Sequence, residues 1–367
     1  MARQAPLGGR ADRPAAGSDR HARRRRAAAC TLALLLFLTA CAEPAPAPEV
    51  QLALDGRTMG TGWSLRIVAP PEDLEPEALE AAVTERLARV NALMSTYDPA
   101  SQLSRFNAAP PDVWFEVDAE LLEVVAAARE LSEATDGAFD VTVGPLVNLW
   151  GFGPGDVVPR AEVPTDAEIA AALGRSGFER LELRREPPAL RKAGRLYVDL
   201  SAIAKGYGVD VIAGLLEDAG VERFLVEIGG ELRARGTNAR GIPWQVGIEV
   251  PDGTRRGIAR QAIGLETGAV ATSGDYRNFF TVDGVRYSHT IDPATGRPVG
   301  HDVASVTVVH ESAMWADGWA TALNVLGAER GLPIAEARDL PVSFVLYGDD
   351  GLDETASAPF ADYRSIP

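Results

Sequence analysis

The stretch that most constrains this chain is Val198-Asp199-Leu200-Ser201-Ala202-Ile203-Ala204-Lys205-Gly206-Tyr207-Gly208, together with the helical segment it leads into. Arg195 to Leu200 alternates apolar and polar residues, which predicts a strand. Ile203, Tyr207, Val211, Ile212, Leu215 and Leu216 recur at helical spacing as far as Asp218. Ala219-Gly220 stops that helix, and Phe224 to Ile228 reads as the next strand. A strand-turn-helix junction aims free backbone N–H groups and the positive end of a helix at one spot, which suits a bound anion. Lys205 falls in that first turn. The chain has two lysines, Lys192 and Lys205, and arginine fills every other cationic position. Lysine here therefore reads as a demand for a compact ammonium charge; the competing reading is an ordinary solvated helix lysine. Gly206 and Gly208 weaken a helix unless something approaches closely there, which favours the anion site.

The rest of the chain supplies short strands mixed with helices. Gln51 to Leu54 and Trp63 to Val68 read as strands joined through a glycine-punctuated segment. Pro76 to Met94 reads as an amphipathic helix, and Asp118 to Thr135 as a second one, capped by Asp118 and stopped at Gly137. A Gly/Pro-rich loop from Trp150 to Thr165 is the one candidate internal boundary; a short helix, Asp166 to Leu173, comes next, then a hairpin through Pro187-Pro188. Gly229-Gly230 interrupts two strands, as a bulge or a place of close backbone approach. Asn278 to Val282 turns at Asp283-Gly284 into Val285 to Ile291; Ala313 to Leu326 is helical, and Val342 to Tyr347 is the final strand. Without steady strand-helix alternation the expected class is α+β, with mixed, largely antiparallel sheets and flanking helices, over residues 51–367.

The amino end has another character. Arg23 to Arg26 precede an apolar run, Ala27 to Ala40, that is short for a spanning helix and laid out like an export signal. Leu38-Thr39-Ala40-Cys41 resembles a bacterial lipobox, so residues 1–41 are expected to be a signal peptide ending at a lipidated Cys41, and the proline-rich 42–50 a tether. The expected location is the cell envelope, on the periplasmic side of the inner membrane. Cys30 and Cys41 are the only cysteines, so the body has no disulfide framework. Removing residues 1–41 takes eight arginines and two aspartates from 36 basic and 52 acidic residues, leaving 28 and 50, a net charge of −22. Such a surface excludes nucleic acid as a partner and makes any phosphate-bearing ligand depend on a locally positive pocket or a metal.

Asp317 and Thr321, four apart on the helix from Ala313, project oxygens from one face, a hard-oxygen pair suited to Mg²⁺; by itself such a pair is usually surface decoration. The order of motifs changes that reading. Met59-Gly60-Thr61, Tyr97-Asp98 through Ser104-Arg105-Phe106-Asn107, Gly137 to Leu146, Asp199 to Gly206, Gly229-Gly230-Glu231, Ala271 to Tyr276, His289 to Pro293 with Thr295-Gly296, and Ala316-Asp317 through Thr321-Ala322 occur in sequence. Together they resemble the ApbE family of FAD:protein FMN transferases. That resemblance implies a Mg²⁺-dependent flavoprotein-modifying enzyme that splits FAD, joins FMN through a phosphoester to a threonine of an acceptor protein, and releases AMP. It implies Mg²⁺ ligation by Ala202 (main-chain oxygen), Asp317 and Thr321, and an FAD site lined by Met59, Tyr97, Ala138, Phe139, Asp140, Asp199, Lys205 and Ile291. His289 corresponds to the family histidine acting near the attacking hydroxyl, and the acceptor is expected to be a membrane redox-complex subunit with a Ser/Thr-Gly-Ala-Thr-like motif. Of the histidines beyond residue 41, only His289 lies in a motif; His301 and His310 read as surface or strand-packing residues. The alternatives are an FAD pyrophosphatase giving FMN and AMP, and a non-catalytic FAD-binding lipoprotein.

Overall fold

The computed structural model describes residues 49–154, 162–251, 258–274, 276, 278–349 and 351–364. The leader, Cys41, most of the tether and Asp275 lie outside the described residues. Glu49–Pro367 form one compact unit. Its spine is an eight-stranded sheet in which spatial order follows chain order: β1 (Gln51–Thr58), β2 (Thr61–Val68), β3 (Phe224–Ile228), β4 (Glu231–Arg235), β5 (Gly268–Gly274), β6 (Val303–His310), β7 (Val342–Gly348) and β8 (Gly351–Ala356). Every neighbouring pair is antiparallel. The α+β expectation holds.

Helices enter as insertions between these strands. Between β2 and β3 come α1 (Pro76–Met94), α2 (Gln102–Ala108), α3 (Ala119–Ala134), α4 (Gly144–Leu149), α5 (Asp166–Leu173) and α6 (Ala204–Asp218). A small sheet of Phe115–Glu116, Pro188–Lys192 and Leu181–Arg185 accompanies them. Ribbons 244–265, 279–288 and 291–298 lie on either side of β5 in sequence, and α7 (Ala313–Ala337) joins β6 to β7. Among the described residues no helix is long and apolar enough to cross a membrane.

Local chemistry explains most of these elements. α1 starts with a proline in its first turn and buries Leu79, Val83, Leu87, Val90 and Met94. α3 begins where the Asp118 carboxylate accepts the Glu120 amide, as its sequence predicts. α1 and α6 cover one face of β2 and β3 through Leu87, Ile212, Leu216, Leu65, Phe224 and Val226, while Trp244, Val246, Ile263 and Phe360 join Leu232, Val270 and Val309 on the other face. The helical reading of 313–326 is met at its far end: α7 breaks at Gly327, whose φ of 73° only glycine adopts easily, before running on to Ala337.

Three expectations fail for identifiable reasons. Arg195 to Leu200 makes no strand. Its backbone groups are taken elsewhere: Val198 exchanges two 2.8 Å hydrogen bonds with the Asn107 side chain, the Asp199 amide donates to Val141 O (2.7 Å), and Tyr197 forms one parallel bridge to Val143. Gly229-Gly230 is no bulge but the two-residue turn of the β3–β4 hairpin, both glycines at positive φ (63° and 111°). Val342 to Tyr347 is not the last strand, because the half-exposed, polar edge strand β8 pairs with it.

Candidate active site

α6 and α7 meet with almost no space between their backbones. A Cβ on Gly206 would lie 2.2 Å from the Ala313 carbonyl oxygen and 2.8 Å from Asp317 Cβ. Gly208 is also a packing position, its missing Cβ facing Met59 and Ile228 at 3.1 and 3.3 Å. The close approach that these glycines permit is therefore to protein, and to no ligand in the case of Gly206. The contact places the Asp317 carboxylate on the first turn of α6, where Oδ2 accepts the Gly206 amide at 3.0 Å. In a continued helix that amide would reach back to the Ala202 carbonyl. Diverted to Asp317, it leaves the Ala202 oxygen without a hydrogen bond among the described residues.

Lys205 lies beside this pair. Its Nζ is 2.8 Å from Glu231 Oε1 and 3.8 Å from Asp317 Oδ1. The predicted cationic point on the helix end is real, but in this structure it faces two carboxylates, and the Gly206 amide is occupied as well. Burial works against the ammonium charge, yet Asp317 and Glu231 outweigh it and raise the Lys205 pKa. Burial raises Asp317 above the usual carboxylate range, with Lys205 and the Gly206 amide opposing. Glu231 is pushed up to about 7 by burial, against the pull of Lys205 and with a push from Asp317. Its second oxygen, Oε2, is buried with no hydrogen-bond partner among the described residues. In the sequence Glu231 stands in a motif without a role; the structure makes it the nearest partner of Lys205.

These groups line a cleft of about 1020 Å³, and all twelve residues singled out for FAD, Mg²⁺ or catalysis line it: Met59, Tyr97, Ala138, Phe139, Asp140, Asp199, Ala202, Lys205, His289, Ile291, Asp317 and Thr321. They arrive on different elements. Met59 sits at the β1–β2 turn with φ 47°, and Tyr97 stands 66% exposed at the end of α1, its amide held by Ser95 Oγ (3.1 Å). Asp140 is fixed by the Thr142 amide and hydroxyl (both 2.7 Å) and the Phe178 amide (3.1 Å); burial pushes its pKa up against those three donors. Asp199 accepts the Ser201 amide (2.9 Å) and hydroxyl (2.6 Å). His289, half-buried, comes directly after ribbon 279–288, with Nδ1 3.1 Å from the Asn278 carbonyl and its ring edge-on to Phe152.

Other polar residues support the cleft without being legible as such in the sequence. Asn324, fully buried on α7, donates to Ser273 Oγ (3.1 Å) and to Thr290 Oγ1 (3.4 Å). His301 is a packing residue as expected, its Nε2 2.6 Å from the Asn324 carbonyl near the break in α7. His310 stacks on Trp315 and accepts the Ser312 amide. Lys192 is buried, and its ammonium donates to the Phe106 and Asn107 carbonyls at the end of α2.

The donor set suits a hard cation. Among the described residues no group of three or more His, Cys, Asp or Glu could share a metal; Ala202, Asp317 and Thr321 instead offer a carbonyl, a carboxylate and a hydroxyl, chemistry that fits Mg²⁺ with retained waters. The cleft also carries Asp98, Asp140, Asp199, Glu231 and Asp317 against one lysine. A dianionic ligand entering there needs additional positive charge.

A family model described as the ApbE family matches residues 59–344. An FAD:protein FMN transferase of Vibrio cholerae is 47% identical over 332 residues, which cover 90% of this chain and 96% of that one. The Escherichia coli K12 protein of the same name is 37% identical, covering 84% and 88%. Among solved structures, the flavin transferase ApbE from Vibrio cholerae matches with a TM-score of 0.79 at 46% identity, over 86% of this chain and all of that one. The flavinyl transferase ApbE of Pseudomonas stutzeri, apo form, gives 0.79 at 39% identity, over 87% and 98%. The match begins at Met59 on the rim of the cleft and ends at Phe344 in the core of the sheet, so every residue that builds this site falls inside it: the chain belongs to the ApbE family.

Proposed function

We propose that this cleft splits FAD and transfers FMN to a threonine of an acceptor protein, releasing AMP, in a lipoprotein anchored through Cys41 on the periplasmic side of the inner membrane. The observation that carries the reading is the convergence of twelve residues from separate motifs on one cleft whose volume, about 1020 Å³, suits a dinucleotide. The names of the family members support the same chemistry. Ala202, Asp317 and Thr321 would hold Mg²⁺, which would supply charge neutralisation to the pyrophosphate and polarisation to the phosphorus.

The chain's own groups do the rest. Lys205 exchanges carboxylate partners for phosphate oxygens as the ligand enters. Met59, Phe139 and Ile291 give apolar walls to the flavin, and Tyr97 a ring at the mouth. The threonine hydroxyl attacks the FMN phosphorus, the bond from that phosphorus to the bridging oxygen breaks, and AMP departs with the electron pair. The hydroxyl proton passes to His289. Because a carbonyl can only accept, the Asn278 contact requires the proton on Nδ1, which leaves the basic lone pair on Nε2. AMP needs no protein acid, since its second pKa is about 6.

The test is incubation with FAD, Mg²⁺ and an acceptor subunit carrying a Ser/Thr-Gly-Ala-Thr-like motif, followed by intact mass of the acceptor and assay of AMP. Transfer gives an FMN adduct and AMP in equal amounts. AMP without adduct would establish the pyrophosphatase alternative, and neither product the FAD-binding one. His289→Ala is expected to lose transfer with FAD and Mg²⁺ affinity intact, and Thr321→Val to be partly rescued by added Mg²⁺.

A further inference from the structure

Asp210, on the second turn of α6, lies outside every motif of the family-like pattern and does not line the cleft. Its carboxylate is nevertheless among the most heavily engaged in the protein. Oδ2 accepts the Ser312 hydroxyl (2.6 Å) and the Met314 amide (2.9 Å), and Oδ1 accepts the Ala313 amide (2.9 Å) and Arg233 Nη1 (3.0 Å). Ser312 is the N-cap of α7, its hydroxyl in turn accepting the Trp315 amide at 3.3 Å. The first three amides of α7 are thus satisfied by Asp210 or by the serine it holds, where a helix start otherwise depends on its own sequence or on water.

The two helices therefore cap each other. Asp210 of α6 takes the start of α7, and Asp317 of α7 takes the Gly206 amide at the start of α6. Between the caps lies the Gly206–Ala313 backbone contact. Strand β4 fastens the arrangement from below: Glu231, Arg233 and Arg235, alternate residues on one face, pair with Lys205 (2.8 Å), Asp210 (3.0 Å) and Glu217 (3.5 Å) along α6. Only one of the two caps, Asp317, belongs to the cleft; Asp210 is engaged wholly with protein. Each residue of slip turns a helix by about 100°, so α7 displaced by one position would swing Asp317 and Thr321 off the cleft together.

We propose that Asp210 is a positioning residue of the site: by capping α7 from α6 it fixes the rotation at which Asp317 and Thr321 face Ala202. The inference rests on the reading of those two side chains as cation ligands. The test is calorimetric titration of the FAD-loaded full-length protein with Mg²⁺, without acceptor, for Asp210→Asn and Asp210→Ala, with Asp317→Ala in parallel. Asparagine keeps one acceptor oxygen and alanine none. The expected result is a Mg²⁺ Kd raised about tenfold in Asp210→Asn and further in Asp210→Ala, the range seen when a residue that orients a metal ligand is lost. FAD affinity in EDTA changes by less than about threefold, and in a separate assay with acceptor present excess Mg²⁺ restores transfer in Asp210→Asn but not in Asp317→Ala. A Mg²⁺ Kd unchanged in Asp210→Asn, with only its thermal midpoint lowered, makes Asp210 a purely structural cap and overturns the proposal while the metal reading stands. If Asp317→Ala also binds Mg²⁺ like the parent, the metal reading fails and this proposal with it. Should Asp210→Ala not fold, the Asn variant decides.

Discussion

Gly206→Ala sets two physical effects against each other with opposite signs. In an exposed helix interior, alanine for glycine stabilises by about 1 kcal/mol. At Gly206 the new Cβ would lie 2.2 Å from the Ala313 oxygen, 2.6 Å from its carbonyl carbon and 2.8 Å from Asp317 Cβ. Those atoms are backbone or the root of a side chain, so no rotamer change relieves the contact. α6 and α7 must part by about 1 Å to reach ordinary contact distances, and such overpacking costs about 1–3 kcal/mol. Parting also stretches the 3.0 Å bond from Gly206 to Asp317, and a hydrogen bond to a charged group is worth about 1.5–3 kcal/mol. Set against the helix-propensity gain, these costs leave a net destabilisation of about 1.5–5 kcal/mol. Gly214, later in the same helix, has nothing within 4 Å of its Cβ position, so Gly214→Ala is expected to gain up to about 1 kcal/mol. Urea unfolding of both variants measures the two signs. If Gly206→Ala is as stable as Gly214→Ala and keeps the parent's Mg²⁺ dependence, the α6–α7 contact does not register the site.

Three other outcomes are expected. Burial raises Glu231 to about 7 from its ordinary 4.5; the folded protein then holds that proton longer than the unfolded chain, so this group makes stability fall as pH rises from about 4.5 to about 7, with no further loss above. Urea unfolding across that window in EDTA should show a shallower decline for Glu231→Gln, and an unchanged slope refutes the assignment. Lys205→Met and Lys192→Met should dissociate in ligand binding: the first weakens FAD binding, and the second lowers the unfolding midpoint and spares FAD binding, because Lys192 closes the end of α2. Equal effects on FAD affinity would remove Lys205 from the site. Cys41→Ser should leave the precursor uncut and without lipid, as intact mass and the N-terminal sequence would reveal; a variant still cut after Ala40 would refute the lipobox reading.

How much of this is legible in the sequence depends on the range of the interactions. α1, α3 and α6 follow from local periodicity, helped at α3 by the Asp118 cap, and their bounds match the structure to within a residue or so. Residues 195–200 carry a convincing strand pattern, yet the Asn107 side chain, some ninety positions away, provides the pairing that a neighbouring strand would have supplied. β8 and the strand Ala259–Leu265 escape a sequence reading because they are half-exposed edges with little apolar alternation. Among site residues, the motif order leads to all twelve singled out, which share the cleft, whereas Asp210 falls in no motif. Its part is visible only once α7 is seen to start on it. Gly206 does mark a close approach, but the visitor is the backbone of α7 and not an anion, since glycine spacing says that something comes near without saying what.

The geometry at Gly206 gives Asp317 a second consequence beyond its own charge. By taking the Gly206 amide, Oδ2 keeps that donor off the Ala202 carbonyl, which remains available as an oxygen ligand. Asp317→Ala would therefore do more than delete one carboxylate: the Gly206 amide, released, can close the ordinary helical bond to Ala202 and withdraw a second oxygen from the cleft. Asp317→Asn removes the charge but retains a side-chain oxygen for the amide, so the Ala202 carbonyl stays open. If Asp317 served only as a charged ligand, the two variants would lose Mg²⁺ affinity alike. With the amide diversion included, the alanine variant should be weaker than the asparagine one by about tenfold, the equivalent of one hydrogen bond near 1.4 kcal/mol. Calorimetric Mg²⁺ titration of the two FAD-loaded variants measures that ratio, and a hydrogen-exchange experiment on the Gly206 amide gives an independent reading. It should stay protected in both variants, by the introduced carboxamide oxygen in Asp317→Asn and by the Ala202 carbonyl in Asp317→Ala. Equal Mg²⁺ affinities, or a Gly206 amide that exchanges freely in the alanine variant, would show that the Ala202 oxygen is not governed by Asp317.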